Sequence, residues 1–460
     1  MLFNSQVFLV VFLPITLGVY YLLANRPEWR MGWLLLASLV FYAYWDVRFL
    51  PLLLTSVALN WLLAHLYGKS GHPALPLAGV MANLVIIGIF KYANFFAGNV
   101  VHAAGEGFAP WDIVLPLGIS FFTFQQISYL LDLRGGRAPV YPFRQYALYV
   151  TFFPQLIAGP IVRHNELIDQ FGLAPMRDGQ AERLSRGAVL FLIGLFKKVI
   201  LADALAEIAT PLFTLIAHGK SLTLAEAWVA AGGYTLQLYF DFSGYSDMAI
   251  GLGLLFGFMI PINFNAPYRA FSVRDFWRRW HITLSRFLRD YLYIPMGGNR
   301  YGLPRQVAAL LVTMLLGGLW HGAGWTFVLW GGLHGVGLAA NHLWEKTGLR
   351  LPRGTAWPLT MLFVIFGWVL FRSATLSDAW TMMATMTGWN GWSLAVHGVP
   401  LRWSVLIFAL PALLGPTSQQ VAFEKLQPRP IFAALAASVF FYLVLRIGDQ
   451  GYSEFVYFQF

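Results

Sequence analysis

Residues 313–335 read TMLLGGLWHGAGWTFVLWGGLHG, an uncharged run rich in glycine and tryptophan that carries histidines at positions 321 and 334. It lies within a longer apolar stretch, 306–340. About 20 such residues suffice to cross a hydrocarbon core of about 30 Å. Counted along a helix from Arg305, His321 lies about 24 Å deep at 1.5 Å per residue. An ionisable ring at that depth is costly unless it faces a cavity or a partner, so His321 is read first as a functional group. On one continuous helix His334 falls about 220° away from it, which argues against both histidines serving one metal or haem.

Working outward, comparable runs recur at about 6–25, 32–47, 49–67, 74–98, 112–131, 140–160, 187–216, 224–260, 356–371, 402–415 and 430–447. The pattern predicts an all-α polytopic membrane protein of ten to twelve membrane segments, some short or re-entrant. Composition agrees: 58% of the 460 residues are hydrophobic, 17% aromatic and only 11% charged, against about 25% charged in soluble domains. A soluble enzyme and a disordered chain are both excluded. The chain has no cysteine, which removes disulfides, thiolate metal sites, a cysteine nucleophile and palmitoylation. No internal repeat or long linker interrupts it, so residues 1–460 read as a single membrane domain.

The first run is followed by Arg26 and Arg30 and lacks a basic segment before it. A cleaved signal peptide is therefore not expected, and the positive-inside rule puts residue 1 outside and Arg26 inside. The same rule needs 140–160 to dip in and return, and its FFPQLIAGPI (152–161) suits a re-entrant turn. Stretch 269–305 then holds Arg269, Arg274, Arg278, Arg279, Arg286, Arg289, Arg300 and Arg305 against Asp275 and Asp290, which is +6 of the chain's +10.

Within it, residues 273–291 read VRDFWRRWHITLSRFLRDY. At 100° per residue Phe276, Trp277, Trp280, Leu284, Phe287, Leu288 and Tyr291 form one stripe, with Arg278, Arg279, Arg286 and Arg289 opposite. This predicts an interfacial helix whose rings enter the acyl boundary. Two uses are open: an anchor on anionic membrane lipid, or a docking site where arginines bind the phosphates of a cytosolic ligand. His281 lies at the edge of the stripe.

A neutral histidine in a protected cavity suits general-base activation of a hydroxyl toward an activated acyl group. Gly322 and Gly324 beside His321 read as space for a substrate. In QLYFDFSGYSDMAIG (237–251), Asp241 and Asp247 need partners at membrane depth, and Arg163, Lys197 or Lys198 are candidates for ion pairing. The terminal EFVYFQF (454–460) places Tyr457 as an aromatic-belt residue.

At INFNAPYRAFSVRDFWRRWHITLSRFLRDYLYIPMGGNR (262–300), followed by 313–335, the sequence resembles the membrane-bound O-acyltransferase family, and more loosely so over most of the chain, including FFPQLIAGPIVRH (152–164). The resemblance implies a ring of helices around a central tunnel. It implies His321 as the catalytic histidine, His281 as a second one, and Tyr457 or a partner's tyrosine as an acyl relay. It implies acetyl-CoA as donor substrate, with Arg278, Arg279 and Arg286 toward its phosphates, and no bound cofactor. The activity implied is an acetyltransferase of the bacterial inner membrane that serves O-acetylation of alginate, cellulose or peptidoglycan. A separate periplasmic SGNH-type acetyltransferase, or another acyl-accepting protein, would take the group onward. Neither nucleic acid nor a metal is expected. Composition alone equally permits a secondary transporter or a polysaccharide channel, although the absence of a repeat weakens that reading. A bis-histidine cytochrome is a more distant possibility.

Overall fold

A computed structural model describes residues 1–389, 391–395, 404–427, 429–450 and 453–456; Tyr457 lies outside them. Among the described residues all regular structure is helical. Five helices are long and apolar enough to cross a membrane: Val47–Ser70, Ala74–Ala103, Leu303–His321, Arg353–Arg372 and Pro430–Asp449. Much of their surface is turned outward, with Leu54, Leu62, Leu66, Leu359 and Phe441 all exposed, as suits helices whose solvent is lipid.

Other apolar runs divide into shorter pieces for local reasons. Stretch 140–160 breaks into Phe143–Thr151 and Phe153–Leu156, with Pro154 in the first turn of the second helix, where a missing N–H is tolerated. Nine residues rise only about 13 Å, too little to cross a bilayer. The apolar run 306–340 is two helices, Leu303–His321 and Trp325–Lys346, because Gly322 and Gly324 adopt extended backbone between them.

The chain forms two compact units. The first comprises Met1–Leu195, Tyr245–Ile262 and Ser418–Glu454. Its helices Leu50–Ser70 and Ala74–Ile87 are joined by a reciprocal amide pair. Asn83 Nδ2 donates to Asn60 Oδ1 (2.7 Å), Asn60 Nδ2 donates back to Asn83 Oδ1 (3.3 Å), and each amide also donates to a carbonyl on its own helix. Interhelical amide bonds of this kind are worth about 0.6 to 2 kcal/mol in lipid. Asp247 accepts from Ser418 Oγ (2.6 Å) and Gln419 Nε2 (2.9 Å).

The second unit comprises Phe196–Gly244, Asn263–Thr417 and Phe455–Phe460. Its helices Leu303–His321 and Trp325–Lys346 pack backbone against backbone. A Cβ on Gly318 would stand 2.2 Å from the Phe327 carbonyl oxygen, and one on Gly331 would stand 2.2 Å from that of Met314. No other residue allows this approach, which is the close-packing logic of small residues between membrane helices. The consequence is that Trp330 of one helix comes alongside His321 of the other.

Candidate active site

The segment expected as one interfacial helix, 273–291, is broken. Val273–Trp277 is a short helix capped by Ser272, whose side chain accepts from the Asp275 N–H. The next helix, Ile282–Leu288, starts after His281, which holds a left-handed backbone (φ 41°, ψ 54°). Only two described non-glycine residues have positive φ, and such a conformation costs about 1–3 kcal/mol unless its surroundings impose it. Here they do: the Ile282 N–H donates to the Asn263 carbonyl (2.9 Å), and the Asn265 N–H to that of Arg279 (2.9 Å). The aromatic stripe is also buried within the protein. Phe276, Trp277, Trp280, Leu284, Phe287, Leu288 and Tyr291 are each less than 9% exposed. The rings therefore form core, which corrects the expectation that they enter the acyl boundary.

His281 is fully buried. Asn263 Oδ1 accepts from the Thr283 N–H (3.2 Å) and hydroxyl (2.8 Å). A backbone N–H can only donate, so this atom is the amide oxygen and the His281 Nδ1 facing it at 3.1 Å carries the proton. His281 Nε2 therefore holds the lone pair. Burial pulls this imidazole down from its ordinary 6.5 to about 3, which keeps it neutral. Its ring packs edge-on against Phe242, with centroids 4.7 Å apart.

His321 is the last residue of its helix and is 5% exposed. Its ring is surrounded edge-on by Trp320 (4.9 Å), Trp330 (5.1 Å) and Phe371 (5.2 Å). The Trp320 ring also approaches that of His281 (6.2 Å), so one indole lies against both histidines. Gly322 does not open space for a substrate as the sequence suggested. A Cβ there would collide with the Phe327 ring at 2.2 Å, so this glycine makes room for a wall residue.

His334 belongs to the same cluster, with its ring 4.7 Å from Trp330. His321 and His334 lie on separate helices either side of the break at 322–324, and each ring packs against Trp330. Trp277 Nε1–H donates to His334 Nδ1 (3.1 Å), which places the His334 proton on Nε2, the opposite tautomer to His281. Sequence reasoning missed Asn263, Trp330 and Phe371. Of these only Asn263, one of two amides in the apolar stretch 260–266, carried a visible signal.

Three of the eight arginines of the basic block pair with carboxylates, and the block keeps most of its positive charge. Arg279 pairs with Asp275 (2.8 Å), Arg274 with Glu345 (2.6 Å) and Arg289 with Asp290 (2.6 Å), while Arg305 donates to the Met296 carbonyl (3.1 Å). Arg286 is half-buried, and Arg278 is exposed. Asp241 meets Lys198 at 2.9 Å, one of the pairings anticipated for it.

Residues 72–377 match the membrane-bound O-acyltransferase family. The chain is 43% identical over 430 residues to the peptidoglycan O-acetyltransferase of Helicobacter pylori, covering 86% of this chain and 81% of that protein. It is 39% identical over 508 residues, the whole of both chains, to the "probable alginate O-acetylase AlgI" of Azotobacter vinelandii. It is 29% identical over 281 residues to the teichoic acid D-alanyltransferase of Bacillus subtilis, covering 57% and 70% of the two chains.

Proposed function

The chain belongs to the membrane-bound O-acyltransferase family, and from that premise we propose that it is a multi-pass inner-membrane O-acetyltransferase that passes acetyl from cytosolic acetyl-CoA to a periplasmic acceptor for alginate-type exopolysaccharide O-acetylation. Membership makes it an acyltransferase and sets aside the transporter, channel and cytochrome readings. Residues 1–460 act as one such domain, with ten to twelve segments ringed about a central tunnel.

The observation that carries the reading is the pair of buried histidines against one indole. In the reaction His321 takes the proton of an acceptor hydroxyl. The oxygen then attacks the thioester carbonyl, the C–O bond forms, the C–S bond breaks, and the thiolate leaves with the proton returned. His281, neutral and with its lone pair on Nε2, accepts a hydrogen bond from a donor on the incoming pantetheine arm and so helps to position the thioester. Arg278, exposed, and Arg286 offer guanidinium groups to the phosphates of acetyl-CoA. Arg279 joins them if it is shared with Asp275. Tyr457 is the immediate acceptor, and a periplasmic SGNH-type acetyltransferase takes the acetyl onward.

Radiolabelled acetyl-CoA supplied to membranes should place label on this chain or on a periplasmic acceptor, and His321→Ala should abolish that label while the protein stays folded. Retained labelling removes the assignment. The 43% identity to a peptidoglycan O-acetyltransferase favours one second reading, in which peptidoglycan is the final acceptor. Acetyl content of the two polymers after gene deletion separates them.

A further inference from the structure

Three charged residues that the proposed chemistry does not use form a cluster, two of them buried. Lys198 is 2% exposed and its ammonium sits between two carboxylates, Asp203 and Asp241, each at 2.9 Å. Asp241 is 1% exposed and lies on the Leu224–Leu255 helix. Its other oxygen accepts the backbone N–H of Val456 at 2.9 Å, across 215 positions of sequence. The Lys198 ammonium also stands 4.8 Å from the centroid of the Phe455 ring. Phe455 and Val456 are both buried.

A buried ion pair is retained only where its remaining lone pairs and protons are satisfied. In this cluster the chain's own C-terminal segment supplies that satisfaction twice. It gives an N–H to the carboxylate and the face of an aromatic ring to the ammonium. The bond to Val456 is a main-chain bond, so it fixes the path of the backbone and does not depend on the side chain at that position. The residue that follows Val456 is Tyr457. One position along the helix from Asp241, the Phe242 ring packs 4.7 Å from that of His281. The docking point of the tail is thus next in sequence to a wall of the candidate active site.

We propose that Lys198 and Asp241 form a docking site for the protein's own C-terminal segment, and that they act as positioning residues which present Tyr457 for acetyl transfer. The second half of this statement rests on the reading of Tyr457 as acceptor; the first half does not.

Because the chain has no cysteine, Val456→Cys makes a single reporter that keeps the backbone N–H. In the full-length protein in detergent, this thiol should react with a water-soluble maleimide about tenfold faster once Asp241→Asn is added, the effect of turning a hydrogen bond to a carboxylate into one to a neutral amide and unpairing Lys198 from Asp241. Phe455→Leu leaves the buried ion pair intact, which guards against simple misfolding, and should speed the reaction in the same direction. Equal rates in the reporter and both derivatives overturn the docking site.

Acetyl transfer is read separately, by mass spectrometry of the C-terminal tryptic peptide after incubation with labelled acetyl-CoA. Label on Tyr457 should fall about tenfold in Asp241→Asn and in Val456→Pro, which removes the tail's N–H and also restrains the backbone at 455 and 456. Undiminished label overturns the positioning role. A reporter that becomes exposed as expected, in a protein whose Tyr457 is never acetylated, removes the acceptor reading and leaves the docking site standing.

Discussion

His281 and His321 are both buried beside the same indole, yet they are held by opposite means. His281 is fixed by hydrogen bonds. An amide oxygen with three donors sets its tautomer, and two main-chain bonds impose its left-handed backbone. His321 is fixed by packing: it ends a helix pressed against its neighbour through Gly318 and Gly331, and aromatic edges enclose its ring. A group whose tautomer is locked and which stays neutral suits positioning a substrate. The ring enclosed by aromatic edges is the one to which we assign the proton that must come and go.

The largest test of this contrast is direct. His321→Ala should lower acetyl transfer by between about 100-fold and about 10,000-fold, the range of a lost general base, whereas His281→Ala should leave measurable turnover with a raised KM for acetyl-CoA. Equal losses of turnover in the two variants would erase the distinction, and steady-state kinetics on the purified proteins decides it.

Packing is tested next, without touching either histidine. Gly331→Ala forces a methyl group against the Met314 carbonyl, so the two helices must part. We expect a stability loss of about 1 to 3 kcal/mol or more, seen in thermal unfolding, with transfer reduced in the molecules that remain folded. The hydrogen-bonded side is tested by Asn263→Ala. It removes the acceptor for three buried donors and should cost about 1 to 3 kcal/mol. Its effect on transfer should match that of His281→Ala and should not add to it in the double variant.

The smallest effect is on pH. The unfolded chain protonates this histidine near 6.5, while the folded one resists until about 3. The unfolded state thus binds more protons between those values, and stability falls as pH drops through 6.5, with no contribution above it. Replacing His281 by Gln should flatten the decline in melting temperature between about pH 7 and about pH 5. An unchanged slope would mean that the ring is not buried in the neutral form.

Much of the fold class was legible. Runs of apolar residues and the scarcity of charge fixed an all-helical membrane protein, because a bilayer imposes a length and a polarity that each segment must meet alone. The importance of His321 was legible for the same reason, since a titratable ring in a long apolar run is an anomaly wherever the run lies. The meaning of the neighbouring glycines was not. Gly322 read as room for substrate, and its role as room for Phe327 depends on a residue placed by the turn that follows it. The stripe at 273–291 was read correctly as amphipathic, but periodicity cannot tell whether rings bury themselves in lipid or in protein.

The sequence by itself determined the solvent this protein lives in, the absence of thiol chemistry and the buried histidine we propose as the general base, since each follows from which side chains are present and in what density. Only the tertiary structure decided which groups meet. A helical projection assumes an unbroken helix. The breaks at His281 and at 322–324 exist because distant partners, Asn263 in one case and the facing helix in the other, supply contacts that no local pattern encodes. The same holds for Asp241 and Val456, whose bond joins positions 215 residues apart.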